Sequence, residues 1–472
     1  GSLTESEEGI EQSLSRWEFA AGLNACLNTM ERLLQENVTV LNGDLDQLQR
    51  LVKEFATELA ALSVRVDNLD NRVTFLEDHQ FSTTTKLMGT VVFSPADVFG
   101  GDGDNNQTVL QQRVGLDLAT SFTGQDLLVS VLRAGNAPLG AGFDLSGTSV
   151  GGITIGSAEG TLSSQFGGNT GNKLKLLALQ YQFSLGEQLR VYLDTSTGVF
   201  QSYVPTLNPY LDDGDRGRGS ISVFGQRSPI YVIPGGGSGI GLKYDLTDNL
   251  QLSAGYLADG LFAGKPEEGR GLFNGGYGAL GQITWQVSEQ FSLGTVYVNE
   301  YSPPGSFGFN YNGLEVTGTA VANTLSGQVR FGSNLLFEQQ PVITNAYGMQ
   351  FSWQPSSKFS LSGWFSAAYP RLIGSGDGEI LSYALTLAFP DLGKEGNLLG
   401  LVIGVEPYLT SFKGGNPKPF PVDLPLHLEA FYRYQLNNNI AITPGGIWLT
   451  APNQNSSNRD NLIATILTTF QF

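Results

Sequence analysis

From residue 81 to its end, the chain alternates very short polar turns with long connections, and few folds satisfy that asymmetry. The turns read TGQD (123–126), GE (186–187), TDN (247–249), SEQ (288–290), PSSK (355–358), DLGKEGN (391–397) and NNN (437–439). The long connections are 135–172, 202–237, 259–274, 301–343, 412–425 and 451–459. Between them run strand patterns of period 2. Leu426, Leu428, Ala430, Tyr432 and Tyr434 fall on one face, and His427, Glu429, Phe431 and Arg433 on the other. A sandwich has no reason to keep its short turns on one side; a closed membrane barrel does so. Seven such turns make fourteen strands, and a first strand (84–93) with a last (461–472, ending on Phe472) brings the total to sixteen. Strand-like pieces at 220–233 and 325–332 break the parity and are placed in loops. Charged residues make up only 15% of the chain, below the ~25% of soluble domains. No apolar run approaches the ~20 residues of a membrane helix, so a bilayer could be crossed only by a closed barrel. Sixteen strands enclose more space than wall side chains fill.

The N-terminal part has a different period. Residues 13–35 read as an amphipathic helix, with Ser15 and Glu18 as a capping box. Then Leu41, Leu45, Leu48, Val52, Phe55, Leu59, Leu62, Val66, Leu69, Val73 and Leu76 alternate steps of four and three. That is a coiled-coil seam, which one helix cannot bury alone. The expected division is therefore 1–38, a coiled coil over 39–80, and an all-β transmembrane barrel of sixteen antiparallel strands over 81–472. The opening GSLTESEEG has no initiator Met or signal peptide, as in a mature or trimmed form.

Residues for chemistry are scarce. The single Cys26 is expected as a buried thiol, and the two histidines, His79 and His427, show no partner. Zinc and Ser–His–Asp sites lack material. GGGSGIG (235–241) lies between strand patterns and reads as a flexible loop. No enzyme activity, cofactor, resident metal or nucleic-acid partner is expected.

SLSRWEFAAGLNACLNTMERLL, followed by the coiled coil and QFSTTTKLMGTVVF, resembles the major outer-membrane porins of cyanobacteria. That family joins an S-layer-homology (SLH) domain to a coiled coil and a barrel similar to carbohydrate-selective porins, and is often labelled an iron-uptake porin. The resemblance implies a homotrimer in outer-membrane lipid and a periplasmic SLH module gripping peptidoglycan or its linked polymer. It also implies passage of small ions, iron among them. Only the last SLH helix, SRWEFAAGL, is present; TESEEGIEQ (4–12) does not match the preceding motif. The carry-over reaches Arg16, Trp17 and Phe19 alone, and residues 1–38 are a C-terminal remnant of the domain.

A channel works through charges at its narrowest point. In general porins the loop corresponding to 202–237 folds inward. Here it carries Asp212, Asp213 and Asp215 beside Arg216, Arg218 and Arg227. An outer loop solvated by its own charges is the competing reading, though it leaves SISVFG and PIYVI nothing to pack on. Inward-phased strand charges are Lys86, Arg113, Arg190, Lys243 and Arg433, with Asp117, Asp194, Glu406 and Glu429. The three aspartates are expected to face Arg190 across the opening. Residues 1–81 hold 6 basic and 15 acidic residues, leaving 20 and 29 beyond. An acidic lumen would favour cations. A second reading makes the barrel a structural tether plugged by its loops, and a third an outer-membrane enzyme.

Overall fold

The computed structural model describes residues 16–36, 49–56, 60, 65–66, 84–101, 107–137, 149–150, 153–154, 157–233, 235–309, 316–325, 337, 339–415, 417 and 419–472. The chain divides into two compact units, Gly1–Ser82 and Thr83–Phe472.

In the first unit, α1 (Arg16–Glu36) forms where the apolar stripe predicts it. Residues 49–56 are helical as well. Leu23, Leu27, Val52 and Phe55 line one cleft. Cys26 is exposed, contrary to expectation, because it stands beside the row Ala20, Leu23, Leu27 and not within it. Val52 and Val66 are 41% and 55% exposed. The other seam positions, Leu45, Leu48, Leu59, Leu62, Leu69, Val73 and Leu76, lie outside the described residues, as does His79.

The second unit is a closed antiparallel barrel of sixteen strands, each paired with its sequence neighbours. They are β1 (Thr84–Gly100), β2 (Val109–Ser121), β3 (Leu127–Gly135) and β4 (Lys175–Leu185). Next come β5 (Leu189–Gly198), β6 (Gly237–Thr247), β7 (Leu250–Asp259) and β8 (Tyr277–Ser288). Then follow β9 (Phe291–Ser302), β10 (Val342–Ser356), β11 (Phe359–Leu372) and β12 (Gly376–Pro390). The last four are β13 (Leu398–Gly414), β14 (Leu426–Gln435), β15 (Ile440–Leu449) and β16 (Asn461–Gln471). β16 closes onto β1 with Thr90 opposite Gln471 and Gly100 opposite Asn461. Phe472 extends the ladder, donating to Gly89 O at 3.1 Å and accepting from Gly89 N at 2.7 Å. Its ring covers Gly89, where a Cβ would stand 2.3 Å from it. Phe472 thus carries the β16–β1 closure one residue beyond β16.

All seven short turns lie at one end, where the barrel's first strand also begins and its last one finishes. Their polar side chains make them tight: Asp126 Oδ1 accepts from Phe122 N at 2.9 Å and Thr123 N at 2.8 Å, an Asx-type arrangement. The opposite end departs from strict alternation, since β11 and β12 are joined by 373–375 only. Residues 220–233 sit in a loop, as expected; 326–332 lie outside the described residues.

The outer face of the wall is apolar and exposed, at Ile240, Trp285, Met349, Phe365, Ile403 and Ile466 among others. A continuous apolar surface of this kind belongs in lipid. Rings gather at both edges. Tyr256, Tyr277 and Tyr301 stack at the long-loop end, with centroids 5.7 and 6.4 Å apart. Trp353, Phe359 and Phe389 follow one another at the turn end, at 6.4 and 5.4 Å. No described helix is long and apolar enough to cross a membrane.

Candidate functional site

The segment 199–233 leaves β5, enters the barrel and packs against its inner wall. Phe200, Tyr203, Leu211, Ile221, Phe224 and Ile230 are almost completely buried. The wall prepares seats for them. Gly241 and Gly255 face each other across β6 and β7, and Tyr203 covers both. A Cβ on Gly241 would lie 2.5 Å from its ring and one on Gly255 2.2 Å from its hydroxyl. Tyr203 also stacks on Tyr192 at 5.1 Å. Phe224 meets Trp364 edge-on at 5.6 Å and His427 at 5.0 Å. The solvated outer loop is therefore not what forms, because burial of these rings outweighs the hydration of a few charges that find partners indoors.

Those charges are mostly paired within the loop itself. Arg227 donates from Nε to Asp212 Oδ2 at 3.0 Å and from Nη2 to Asp212 Oδ1 at 2.8 Å. The same Nη2 reaches Asp215 Oδ2 at 3.1 Å. Asp213 accepts the backbone N–H groups of Arg216 at 3.1 Å, Arg218 at 2.5 Å and Gly219 at 3.0 Å. Burial pushes the Asp212 carboxyl up, but Arg227 outweighs it and holds the group below its ordinary range. Burial, with Asp215 and Asp212 close by, keeps Asp213 above it. Arg218 extends to the wall, donating to Gln471 Oε1 at 2.9 Å and Gln435 Oε1 at 2.7 Å. The aspartates thus brace their own loop; the expected pairing across the opening to Arg190 is replaced by Arg227, which the chain places 12 to 15 residues away.

The strand charges divide into two groups. Glu406 and Glu429 face inward but do not face water, since they are buried under the loops. His427, read from sequence as lacking a partner, lies between them, with Nδ1 2.8 Å from Glu406 Oε1 and Nε2 3.3 Å from Glu429 Oε2. This hub pins three loops. Glu406 accepts from Gly160 N at 2.8 Å, and from Thr317 Oγ1 at 2.6 Å and Gly318 N at 2.8 Å. Glu429 accepts from Ser220 Oγ at 2.7 Å, Ile221 N at 2.9 Å and Ser222 Oγ. Glu159 joins from the first loop and accepts Asn453 N of the last at 2.7 Å. Burial first, then the charge of Glu406, raises the Glu159 carboxyl to about 7. Arg113 is buried too, donating to Ser163 O at 2.9 Å and to Asp215 O. Arg433 donates to Arg218 O and, at 3.2 Å, to Gly396 O.

Of the others, Lys86, Arg190 and Lys243 stay accessible, whereas Asp117 and Asp194 are nearly buried. Lys86 and Arg190 line one open depression at the turn end, and Lys243 stands directly opposite Arg190 on the next strand. Deeper in, a cavity of about 230 Å³ separates the loop from the wall of β2–β5. Asp117, Arg133, Asp194, Gln180, Phe166 and Arg216 border it. Arg133, Glu159 and the His427 pairing escape sequence reading. Of these, only Glu429, two residues beyond His427 on the same strand face, leaves a local signal.

A wide barrel with an apolar belt, two aromatic girdles and a charged interior narrowed by inward loops defines a porin of the outer membrane. The sequence profile of the carbohydrate-selective porin, OprB family, matches residues 42–472, and the chain belongs to that family. It is 40% identical over 477 residues to the uncharacterized protein alr4550 of Nostoc sp. (strain PCC 7120), covering 98% of this chain and 78% of the relative. It is 37% identical to the uncharacterized protein sll0772 of Synechocystis sp. (strain PCC 6803), over 97% of this chain and 82% of the relative. Its fold is similar to the high-pH structure of Pseudomonas putida OprB, with TM-score 0.51 and 13% identity, over 84% of this chain and 96% of that one.

Proposed function

We propose that this porin is a narrow diffusion channel for small hydrophilic solutes, chiefly inorganic ions, with its short turns and stalk in the periplasm. The observation that carries this reading is the interior: inward loops are pinned at the Glu406–His427–Glu429 hub, and a cavity with charged borders remains between loop and wall beside β2–β5. That cavity, bordered by Asp117, Asp194 and the loop residues Asp212, Asp215 and Arg216, would form the passage together with the open depressions at Lys86, Arg190 and Lys243. A second reading follows the family's description. Phe166 offers an aromatic face, and Gln180, Asp117 and Arg133 offer hydrogen bonds, a combination that suits a sugar ring. The resemblance further supports a trimer joined through the helical seam, and a tether to peptidoglycan or its linked polymer. Iron would pass as a permeant ion. Planar-bilayer recording with liposome swelling in sugars of rising size tests the reading. Small unitary currents with negligible uptake of disaccharides are expected; rapid swelling would favour the sugar route. A barrel that never conducts would leave the plugged tether, which the filled interior also suits. Native mass of detergent-extracted protein should correspond to three chains, and Leu62→Asp should loosen the stalk while the barrels stay together.

A further inference from the structure

We propose that this passage favours small anions, and that Arg216 sets the preference. The inference rests on the channel reading above. The chain as a whole carries a net charge of −18, which suggests the opposite, but the interior spends its acids on itself. Asp212 and Asp215 hold Arg227, whose side chain is 1% exposed. Asp213 accepts three backbone N–H groups. Glu406 and Glu429 hold His427 and the loops. Asp117 pairs with Arg133 at 2.6 Å. Asp194 is the exception: it is buried and accepts from Gln180 Nε2 at 2.8 Å on one oxygen, with no cation paired to it among the described residues.

Arg216 is different. It stands at the loop tip, on the cavity between loop and wall. Its side chain is 50% exposed, and the carboxylate it approaches, Asp117, is 4.0 Å away and already serves Arg133. Towards the turn end the wall continues with Lys86, Arg190 and Lys243. Arg190 and Lys243 are Cα partners across β5 and β6, and like charges directly opposite destabilise a sheet. An anion passing between them relieves that repulsion. The acids in this stretch are Asp126, which lines the same depression as Lys86 and Arg190 and accepts from Phe122 N, Thr123 N and the Tyr181 hydroxyl, Asp245, held by Gln251 Nε2 at 2.6 Å, and Glu187 and Asp248 on the turns, which border an open depression. Bulk water and salt screen charges at such a rim, those of Lys86, Arg190 and Lys243 included, so the preference is set by the charge deeper in, at Arg216. A charge facing the narrow, low-dielectric passage acts on every ion that crosses. The solutes so selected share only small size and negative charge: chloride, inorganic phosphate, sulfate, short carboxylates.

The zero-current potential of the protein in planar bilayers, under a potassium chloride gradient and then a potassium phosphate gradient, reads the preference. The parent should pass anion over cation. Arg216→Gln should lower the anion-to-cation permeability ratio roughly tenfold at low salt, about threefold for each ion, the scale of one unit charge across ~6 Å of water. Arg216→Lys keeps the charge and should keep the preference, which separates charge from displacement of the loop. Backbone contacts of Arg216 with Asp213 survive either change. A conducting parent that prefers cations, or a ratio unmoved by Arg216→Gln, overturns the proposal while leaving the channel intact. A barrel with no current overturns the channel reading, and the anion preference falls with it.

Discussion

Arg227 shows what a single residue does inside this barrel. Its guanidinium joins two carboxylates and lets 212–215 turn back on itself away from bulk water. Removing one partner of a buried pair costs about 3–5 kcal/mol, because the other charge is stranded. Arg227→Gln should therefore free the loop tip. Unitary conductance should rise and become noisier, and the melting temperature in detergent should fall; unchanged traces would show that the brace is dispensable. Replacing Asp212, Asp213 and Asp215 together by asparagine is not a change of charge alone. Asp213 receives two of its three N–H groups on one oxygen and the third on the other, whereas an amide keeps a single acceptor oxygen. The triple variant should lose loop order as well as charge, visible as faster proteolysis within 199–233.

At the scale of elements, the decisive pairing is between an inward loop and the wall that receives it. β6 and β7 place Gly241 opposite Gly255, and the smooth patch so formed accepts the Tyr203 ring. A side chain there cannot coexist with the ring. Gly241→Leu should overpack the seat, at about 1–3 kcal/mol, and lift the loop from the wall. Larger currents with an unchanged strand content by circular dichroism are expected. Loss of the barrel itself would mean the loop is needed for folding and not only for narrowing. The last long loop is held in a similar way: Ala451, Asn453 and Gln454 all have positive φ, a conformation that side chains disfavour. Buried bonds hold it, among them Ala320 N to Asn453 Oδ1 at 2.8 Å and Leu409 N to Gln454 Oε1 at 2.9 Å.

For the whole molecule, the buried hub ties loops that are far apart in sequence into one unit, so its charge state is felt by all of them. Glu159 is the member with a titration near neutrality. The folded chain keeps a proton on it up to about pH 7, whereas its ordinary value is 4.5. The resulting stabilisation is complete below about pH 4.5 and is lost as pH rises through about 7. Glu406 and His427 face it as charged groups, and Ser157 and Asn453 as hydrogen-bond donors. Thermal unfolding in detergent should therefore occur at lower temperature as pH climbs from about 4.5 to 8. Glu159→Gln should flatten that slope. An equally steep slope in the variant would place the titration elsewhere.

Sequence alone determined the barrel. Period-2 alternation and the one-sided short turns are local properties, written within each hairpin, and they yield sixteen strands, both barrel ends at the turn edge, and 220–233 inside a loop. The same locality made the first helix legible from its stripe. What only the tertiary structure decided is how the interior charges pair. His427 meets Glu406 through β13–β14 register, Glu159 meets Asn453 across 294 residues of sequence, and Asp212 turns to Arg227 and away from Arg190. Such pairings depend on which loops enter the lumen together and how deeply each is buried, quantities with no period and no fixed spacing. Acids dominate the composition, yet many of the interior ones are bonded within the loops and the wall, while Arg216, Lys86 and Arg190 remain exposed.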